Sequence, residues 1–195
     1  MRFCQGSIEG KSVKLVMKLQ IEPPDFIHCP FCGKRLDERE EEGKARKYCG
    51  DCKWTYYPHV AASSCAAIVN NGKILLVKRN REPYKGTWMF PAGFVDFGEH
   101  PADTVVREVK EEVGLEVASL RLLDVIQVDD DPRSMGQFGF FYRVTTKDND
   151  VKNNDNGENS EIGWFDLDDL PLIGWHSHKK IVEDYIKKPN RAVNK

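Results

Sequence analysis

No stretch of this 195-residue chain approaches the roughly eighteen consecutive apolar residues that a membrane-spanning helix needs. Its opening residues, MRFCQGSIEGKSVK, hold no apolar core of the export-signal kind, so the cytoplasm is the expected compartment. Neither sign of charge is in excess. The chain sets 29 Lys and Arg against 31 Asp and Glu, and a formal net charge of −2 gives no electrostatic drive toward nucleic acid or an anionic membrane. No internal repeat is visible, which removes solenoids and propellers. What remains, at 40% hydrophobic and 31% charged residues, is the composition of a globular protein of one domain plus a small module.

Six cysteines are present, and their spacing argues against a disulfide framework. Four form two CxxC pairs, Cys29 with Cys32 and Cys49 with Cys52, which in a reducing compartment read as a closed tetrathiolate site for structural zinc. The 16 residues between the pairs suffice for a short hairpin. So small a segment has too little apolar material to fold alone, and metal binding is expected to stabilise it. The module, residues 27–57, resembles a zinc ribbon. It is read as a structural or dimer element rather than a nucleic-acid reader, because Asp37, Glu38, Glu40, Glu41 and Glu42 cancel Lys44, Arg46, Lys47 and Lys53. Cys65 lies in an apolar run and is expected to be a small core residue.

The chemistry concentrates in Gly93 to Leu115, GFVDFGEHPADTVVREVKEEVGL. Pro101 suits a first helical position and Gly114 a left-handed stop, which predicts a helix of about three turns. Helical spacing puts Arg107, Glu108, Glu111 and Glu112 together on one face, with Val105, Val106, Val109 and Val113 expected as a buried stripe on the other. Carboxylates so crowded repel one another unless a cation sits among them. One arginine is too little, and an oxygen-only donor set suits a hard divalent ion such as Mg²⁺.

Gly93, Glu99 and the run Arg107-Glu108-Val109-Lys110-Glu111-Glu112-Val113-Gly114-Leu115 match the Nudix box at each defined position, and residues 58–188 resemble a Nudix hydrolase. The resemblance implies an α/β fold, an α/β/α sandwich around a mixed sheet, and hydrolysis of a nucleoside diphosphate linked to another moiety. It further implies Mg²⁺ or Mn²⁺ held by Glu108, Glu111, Glu112 and the carbonyl of Gly93. Arg107 and Glu99 would be supporting catalytic groups, and the general base would be Glu111, or Glu158 or Glu161 from another loop. A ribbon ahead of the domain is similar to NADH pyrophosphatases, but their Pro- and Trp-rich downstream signature is missing from LRLLDVIQVDDDPRSMGQFGFF. That departure turns the reading toward ADP-ribose or FAD, cleaved to AMP and a phosphorylated partner. Pro132 stands near the proline that marks many ADP-ribose enzymes. Oxidised nucleoside triphosphates, and nucleotide or RNA binding without catalysis, are the alternatives.

The rest of the chain reads more plainly. Residues 13–21 alternate apolar and polar side chains, as in a strand at a sheet edge or a homodimer contact. SSCAAIV and KILLVKR, joined by Asn70-Asn71-Gly72, predict a hairpin. Leu120 to Val128 and Phe138 to Thr146 predict two more strands, and Ser177 to Lys188 a closing helix. KDNDVKNNDNGENS predicts a loop; it fails the calcium-loop pattern, because Lys152 falls where the first Asp should be. His176 and His178 read as capping or surface groups. Of the aromatics near the box (Tyr84, Trp88, Phe90, Phe94, Phe97) most should be core. Trp88 and Phe90, with Arg79, are the expected substrate contacts, by stacking on a base or flavin. Residues 1–26 and 189–195 are an N-terminal segment and a tail.

Overall fold

A computed structural model describes residues 26–131, 136–152 and 157–188. The strand expected over residues 13–21, the tail at 189–195 and Pro132 lie outside them. The ribbon comes first: β1 (Asp37–Glu41), β2 (Lys44–Cys49) and β3 (Trp54–Thr55) form a three-stranded antiparallel sheet. Its β1–β2 turn is Glu42-Gly43, both at positive φ (52° and 72°), the geometry that matches strand twist in a two-residue hairpin. Among the described residues Cys29, Leu36 and Cys49, with Trp54 against them, form its buried cluster, and Tyr56 packs beside Trp54.

The main sheet has seven strands. β4 (Ala62–Asn70) and β5 (Lys73–Arg79) make the hairpin that the Asn-Gly signal predicts, with Asn71 and Gly72 at φ 47° and 77°. The short β6 (Trp88–Met89) and β7 (Ala92–Phe94) pair with β5 and β4. β8 (Val117–Gln127), β9 (Phe138–Thr146) and β10 (Asn159–Asp166) complete the order β10-β5-β4-β9-β8, with β4 parallel to β9 and the other pairings antiparallel. β4 is central and covered on both faces, which is why its sequence is a continuous apolar run rather than an alternation.

Alternate residues of β4 feed two cores, as the period of two requires. Ala66 and Ile68, with Leu75 and Val77 of β5, pack against α1 (Pro101–Val113) through Val105, Val109 and Val113. Cys65 and Ala67, with Ile74 and Leu76, pack against Ile181, Val182 and Ile186 of the C-terminal helix. That helix is α2 (His176–Ile181) running into a π-helical turn, Val182–Ile186. The result is a mixed sheet with helices on both faces. Among the described residues no helix is long and apolar enough to cross a membrane.

Two expectations for α1 need correction. Val106 is not in the buried stripe but 43% exposed, whereas Val105, Val109 and Val113 are fully buried. Residue 106 lies about 100° round the helix from 105, on the far side from the sheet. The carboxylates do not share a solvent face either. Glu108 and Glu112 turn inward beside the valines, at 9% and 4% exposure, and Glu111 stays outside. The helix thus buries valines and two acids on the same flank.

This packing makes a direct comparison. Val109→Ala removes two fully buried methyls and is expected to cost about 1–3 kcal/mol. Val106→Ala should stay within about 0.5 kcal/mol of the parent. Thermal melting of the two variants checks it, since equal losses would put Val106 back in the core.

Candidate functional site

Arg107 organises the acidic surface of α1. Its Nε and Nη2 donate to the two oxygens of Glu99 at 3.0 Å each, a bidentate fork. Its Nη1 donates to Glu108 Oε1 at 2.6 Å and to Glu111 Oε2 at 3.3 Å, and Nη2 also reaches the Phe94 carbonyl at 3.1 Å. Glu99 accepts from the Asp96 N–H (3.1 Å) and the Thr104 hydroxyl (2.8 Å) as well. With Arg107 first among these donors, its carboxyl is drawn down to about 2. Glu99 is therefore a brace that ties the loop before α1 to the helix, with its oxygens already spoken for.

Glu108 and Glu112 sit against β7. A Cβ on Gly93 would lie 1.8 Å from Glu108 Oε1 and 2.2 Å from its Cδ. Only glycine lets this carboxylate approach the strand so closely. Glu112 accepts from the Ala92 N–H and from Asn159 Nδ2, both at 3.0 Å. Burial raises the pKa of Glu108. Burial first, and the neighbouring Glu108 charge among the further causes, pushes Glu112 up to about 8 despite those two donors. Two carboxylates held close and out of water, with a half-shared arginine, form a site short of positive charge.

A cavity of about 270 Å³ opens beside them, with Gly93, Arg107 and Glu108 at one part of its wall and Gln137, Asp131 and Trp175 at another. Glu158 also lines it, paired with Arg81 at 2.7 Å. Glu161 does not; it faces away on β10, paired with Lys78 at 2.8 Å. Arg79 reaches the cavity but is buried, its guanidinium donating to the Pro83 (2.6 Å) and Glu82 (3.3 Å) carbonyls. Of the expected aromatic contacts, Phe90 is fully buried and stacked on the His178 ring at 4.7 Å, so it has no face to offer a ligand. Trp88 packs edge-on against Phe165 at 4.6 Å and is absent from the cavity wall. Phe94 is the ring that lines the cavity while half-exposed.

His178 is neither cap nor surface group. It is buried, its Nδ1 accepts from the Phe90 N–H at 3.0 Å, and burial drives its pKa down to about 3, which keeps it neutral. The proton therefore sits on Nε2, 3.8 Å from Cys65 Sγ. The helix cap is Asp130, whose Oδ2 accepts from the His176 N–H at 2.9 Å. His178, Asn159, Asp131 and Gln137 carry no local sequence signal. Tertiary packing alone brings them here, though the apolar spacing of Ile181, Val182 and Ile186 could have marked position 178 as inward.

The four ribbon cysteines converge. Their sulfurs all lie within 4.8 Å of one another, and Cys32 Sγ to Cys49 Sγ is 3.7 Å. Four thiolates around zinc at about 2.3 Å stand about 3.8 Å apart along a tetrahedral edge, so the donor set and its spacing suit zinc. Burial opposes ionisation of Cys29, but the Phe31 and Cys32 N–H groups and the neighbouring thiols outweigh it and bring Cys29 down to about 7.

Two outcomes follow from this geometry. A native Glu112 pKa above the unfolded value means that the metal-free fold loses stability as pH rises from about 4.5 to 8. Glu112→Gln escapes that loss, because Asn159 can flip its amide to accept. At pH 8.5 in chelator the variant should melt a few degrees above the parent, on the order of 1 kcal/mol or more. It should gain less than the parent when Mg²⁺ is added; a lower melting point for the variant in chelator would refute the buried-charge account. Separately, protein purified without chelator should carry about one zinc per chain. Cys49→Ser should abolish it and open the ribbon to proteolysis, leaving the α1 core folded; elemental analysis and limited digestion read both.

Residues 58–185 match the model of the NUDIX domain. The ADP-ribose pyrophosphatase of Methanocaldococcus jannaschii is 36% identical over 139 residues, 71% of this chain and 80% of that protein. The NAD-capped RNA hydrolase NudC of Vibrio atlanticus is 32% identical over 145 residues, 74% of this chain, and the match spans about half (51%) of that longer protein. Among solved structures, a NUDIX hydrolase from Nitrosomonas europaea shares the fold with a TM-score of 0.66, at 24% identity, over 84% of this chain and 92% of its own. A family match over most of the chain, around a helix whose buried Glu108 presses on Gly93 and whose buried Glu112 is held by the Ala92 N–H, places this protein in the NUDIX family.

Proposed function

We propose that the protein hydrolyses a nucleoside diphosphate linked to a second moiety, with ADP-ribose or FAD preferred, to AMP and a phosphorylated product. The observation that carries this reading is the buried Glu108, set against Gly93 in the wall of a cavity, with the buried Glu112 behind it on the Ala92 N–H. The fit to a hard divalent ion rests on the donors: carboxylate and carbonyl oxygens, no sulfur, and a Glu112 that burial and like charge hold near pKa 8. Glu108, Glu112 and the Gly93 carbonyl would hold Mg²⁺ or Mn²⁺, with Glu111 next. When bound, such an ion supplies charge screening of the diphosphate and a more acidic water.

The chain's own groups do the rest. Arg107 fixes Glu108 and, through Glu99, the loop that carries Asp96, so the carboxylates need not reorganise when a polyanion arrives. Asn159 and the Ala92 N–H hold Glu112 in one rotamer. Glu158 is placed to take a proton from water inside the cavity, with Arg81 orienting it; Glu161, turned toward Lys78, is not. Phe94 offers a ring for stacking at the rim. Structural zinc in the ribbon suits a reducing compartment, and we place the protein in the cytoplasm.

The M. jannaschii relative favours ADP-ribose, and the NudC relative makes an NAD-linked diphosphate the second reading. Side-by-side kinetics on ADP-ribose, FAD, NADH and 8-oxo-dGTP with Mg²⁺ test both. Either two-part class should lead in kcat/KM. A tenfold lead for 8-oxo-dGTP, about 1.4 kcal/mol of transition-state preference, would overturn the proposal.

A further inference from the structure

Buried polar side chains are nearly always hydrogen-bonded, so one that is not needs an explanation. Ser177 lines the cavity at 6% exposure, and its hydroxyl has no hydrogen-bond partner among the described residues. It is not walled off. Among those residues the unpartnered polar atoms that the protein encloses are Ser64 Oγ, Asp130 Oδ1, Gln137 Oε1 and Trp175 Nε1; Ser177 Oγ is not one of them, so it keeps surface open at the cavity that the residue lines. Ser63 is half-buried in the same wall, and its hydroxyl is likewise accessible and without a partner among the described residues. The two serines flank one contact. Ser63 lies two residues from Cys65 on the same face of β4, and Ser177 precedes His178, whose Nε2 is 3.8 Å from Cys65 Sγ. Two open hydroxyls therefore stand on one stretch of wall, and the hydrolysis reading uses neither.

We propose that Ser177 and Ser63 hydrogen-bond the hydroxyls of a ribose joined directly to the diphosphate, which makes them specificity-determining residues for the sugar. The inference rests on the two-part-substrate reading above and names the piece of that substrate that this wall reads. Position favours a sugar over a base. Ser63 is the partner of Phe94 across β4 and β7, one residue along from Gly93, whose carbonyl belongs to the proposed ion site. A group seated there is the one next to the diphosphate, and in ADP-ribose that is a ribose on either side. Chemistry favours it too. A serine hydroxyl can both donate and accept, and so can a sugar hydroxyl, so the two satisfy each other in either sense. An apolar group in the same place would leave both serines unpaired and cut off from water, which is costly.

The test compares ADP-ribose with analogues that each lack one hydroxyl, at the 2 or 3 position of the adenosine ribose or of the terminal ribose. The readout is the ratio of kcat/KM values within each protein, which is unaffected by any loss of folded material in a variant. The parent should prefer ADP-ribose by about tenfold or more over an analogue of one ribose, because a site built to bind a hydroxyl rejects the ligand that lacks it. Which ribose shows the preference identifies the half of the substrate in the cavity. Ser177→Ala and Ser63→Ala should each cut a ratio for that same ribose at least fivefold. The ratio of ADP-ribose to IDP-ribose, which differ only in the base, should stay within twofold of the parent in both variants. Parent ratios all below tenfold, or either variant with every ribose ratio within fivefold of the parent, overturn the assignment. So does a base ratio that moves as far as the ribose ratio, since that marks a general repacking. No turnover of ADP-ribose by the parent overturns the ADP-ribose reading and this inference with it, whereas turnover without ribose discrimination overturns this inference alone.

Discussion

The site depends on two carboxylates being kept out of water. Moving a carboxylate from water into a protein interior costs several kcal/mol unless charge and hydrogen bonds compensate. Glu108 has half an arginine and Glu112 has two neutral donors, and neither set suffices: both pKa values rise. The fold tolerates this because α1 is anchored by three fully buried valines on the same flank, so the helix cannot rotate its acids outward without exposing Val105, Val109 and Val113. Hydrophobic burial holds an electrostatic deficit in place, and the proposed divalent cation would relieve it. Gly93 completes the constraint from the strand side, since any side chain there would collide with Glu108.

Arg107 decides how that deficit is shared. A lysine could neutralise one neighbour, but only a planar fork can engage Glu99 through both oxygens and still reach Glu108, Glu111 and the Phe94 carbonyl. The bidentate pair engages both oxygens of Glu99, one of which also accepts from Thr104 and the Asp96 N–H, while Glu108 keeps one oxygen clear of the arginine. In the proposed site, bracing and ligation would therefore be divided between two glutamates of one motif, according to which carboxylate the guanidinium grips with two bonds.

How much of this could be read from the sequence varied with the range of the cause. Local causes were legible. Pro101 and the left-handed Gly114 bound α1, the Asn71-Gly72 pair set the β4–β5 hairpin, and the Phe138–Thr146 strand lies where its apolar run predicts. The burial of residues on those elements was less so, because it depends on what packs against them. A pattern of charge suggested that Glu108 and Glu112 faced solvent, yet they lie one helical step from the core valines and go in with them. Phe90 looks like a stacking ring in a loop; the neutral His178, 88 residues away, claims its face and its N–H. Gln137 and Asp131 stand at the ends of β9 and β8, and they share a cavity with Gly93 and Glu108 because β9 pairs with β4, a long-range pairing that no short window contains.

The thiol and carboxylate donor sets also divide by chemistry and by what the fold asks of them. Among the described residues the ribbon's buried cluster is Cys29, Leu36 and Cys49, so its thiol donors and its core largely coincide, and a zinc ion there would supply much of the module's stability. The carboxylate site stands beside a core of more than a dozen buried side chains that needs no ion to pack. Soft thiolates suit zinc and hard carboxylates suit magnesium, so the two proposed ions would be sorted by ligand chemistry alone. A catalytic ion has to be exchangeable without unfolding the enzyme, and a structural one does not. The proposed sites would meet both requirements, because the carboxylates stand on the largest buried cluster among the described residues and the thiols in a module with little core.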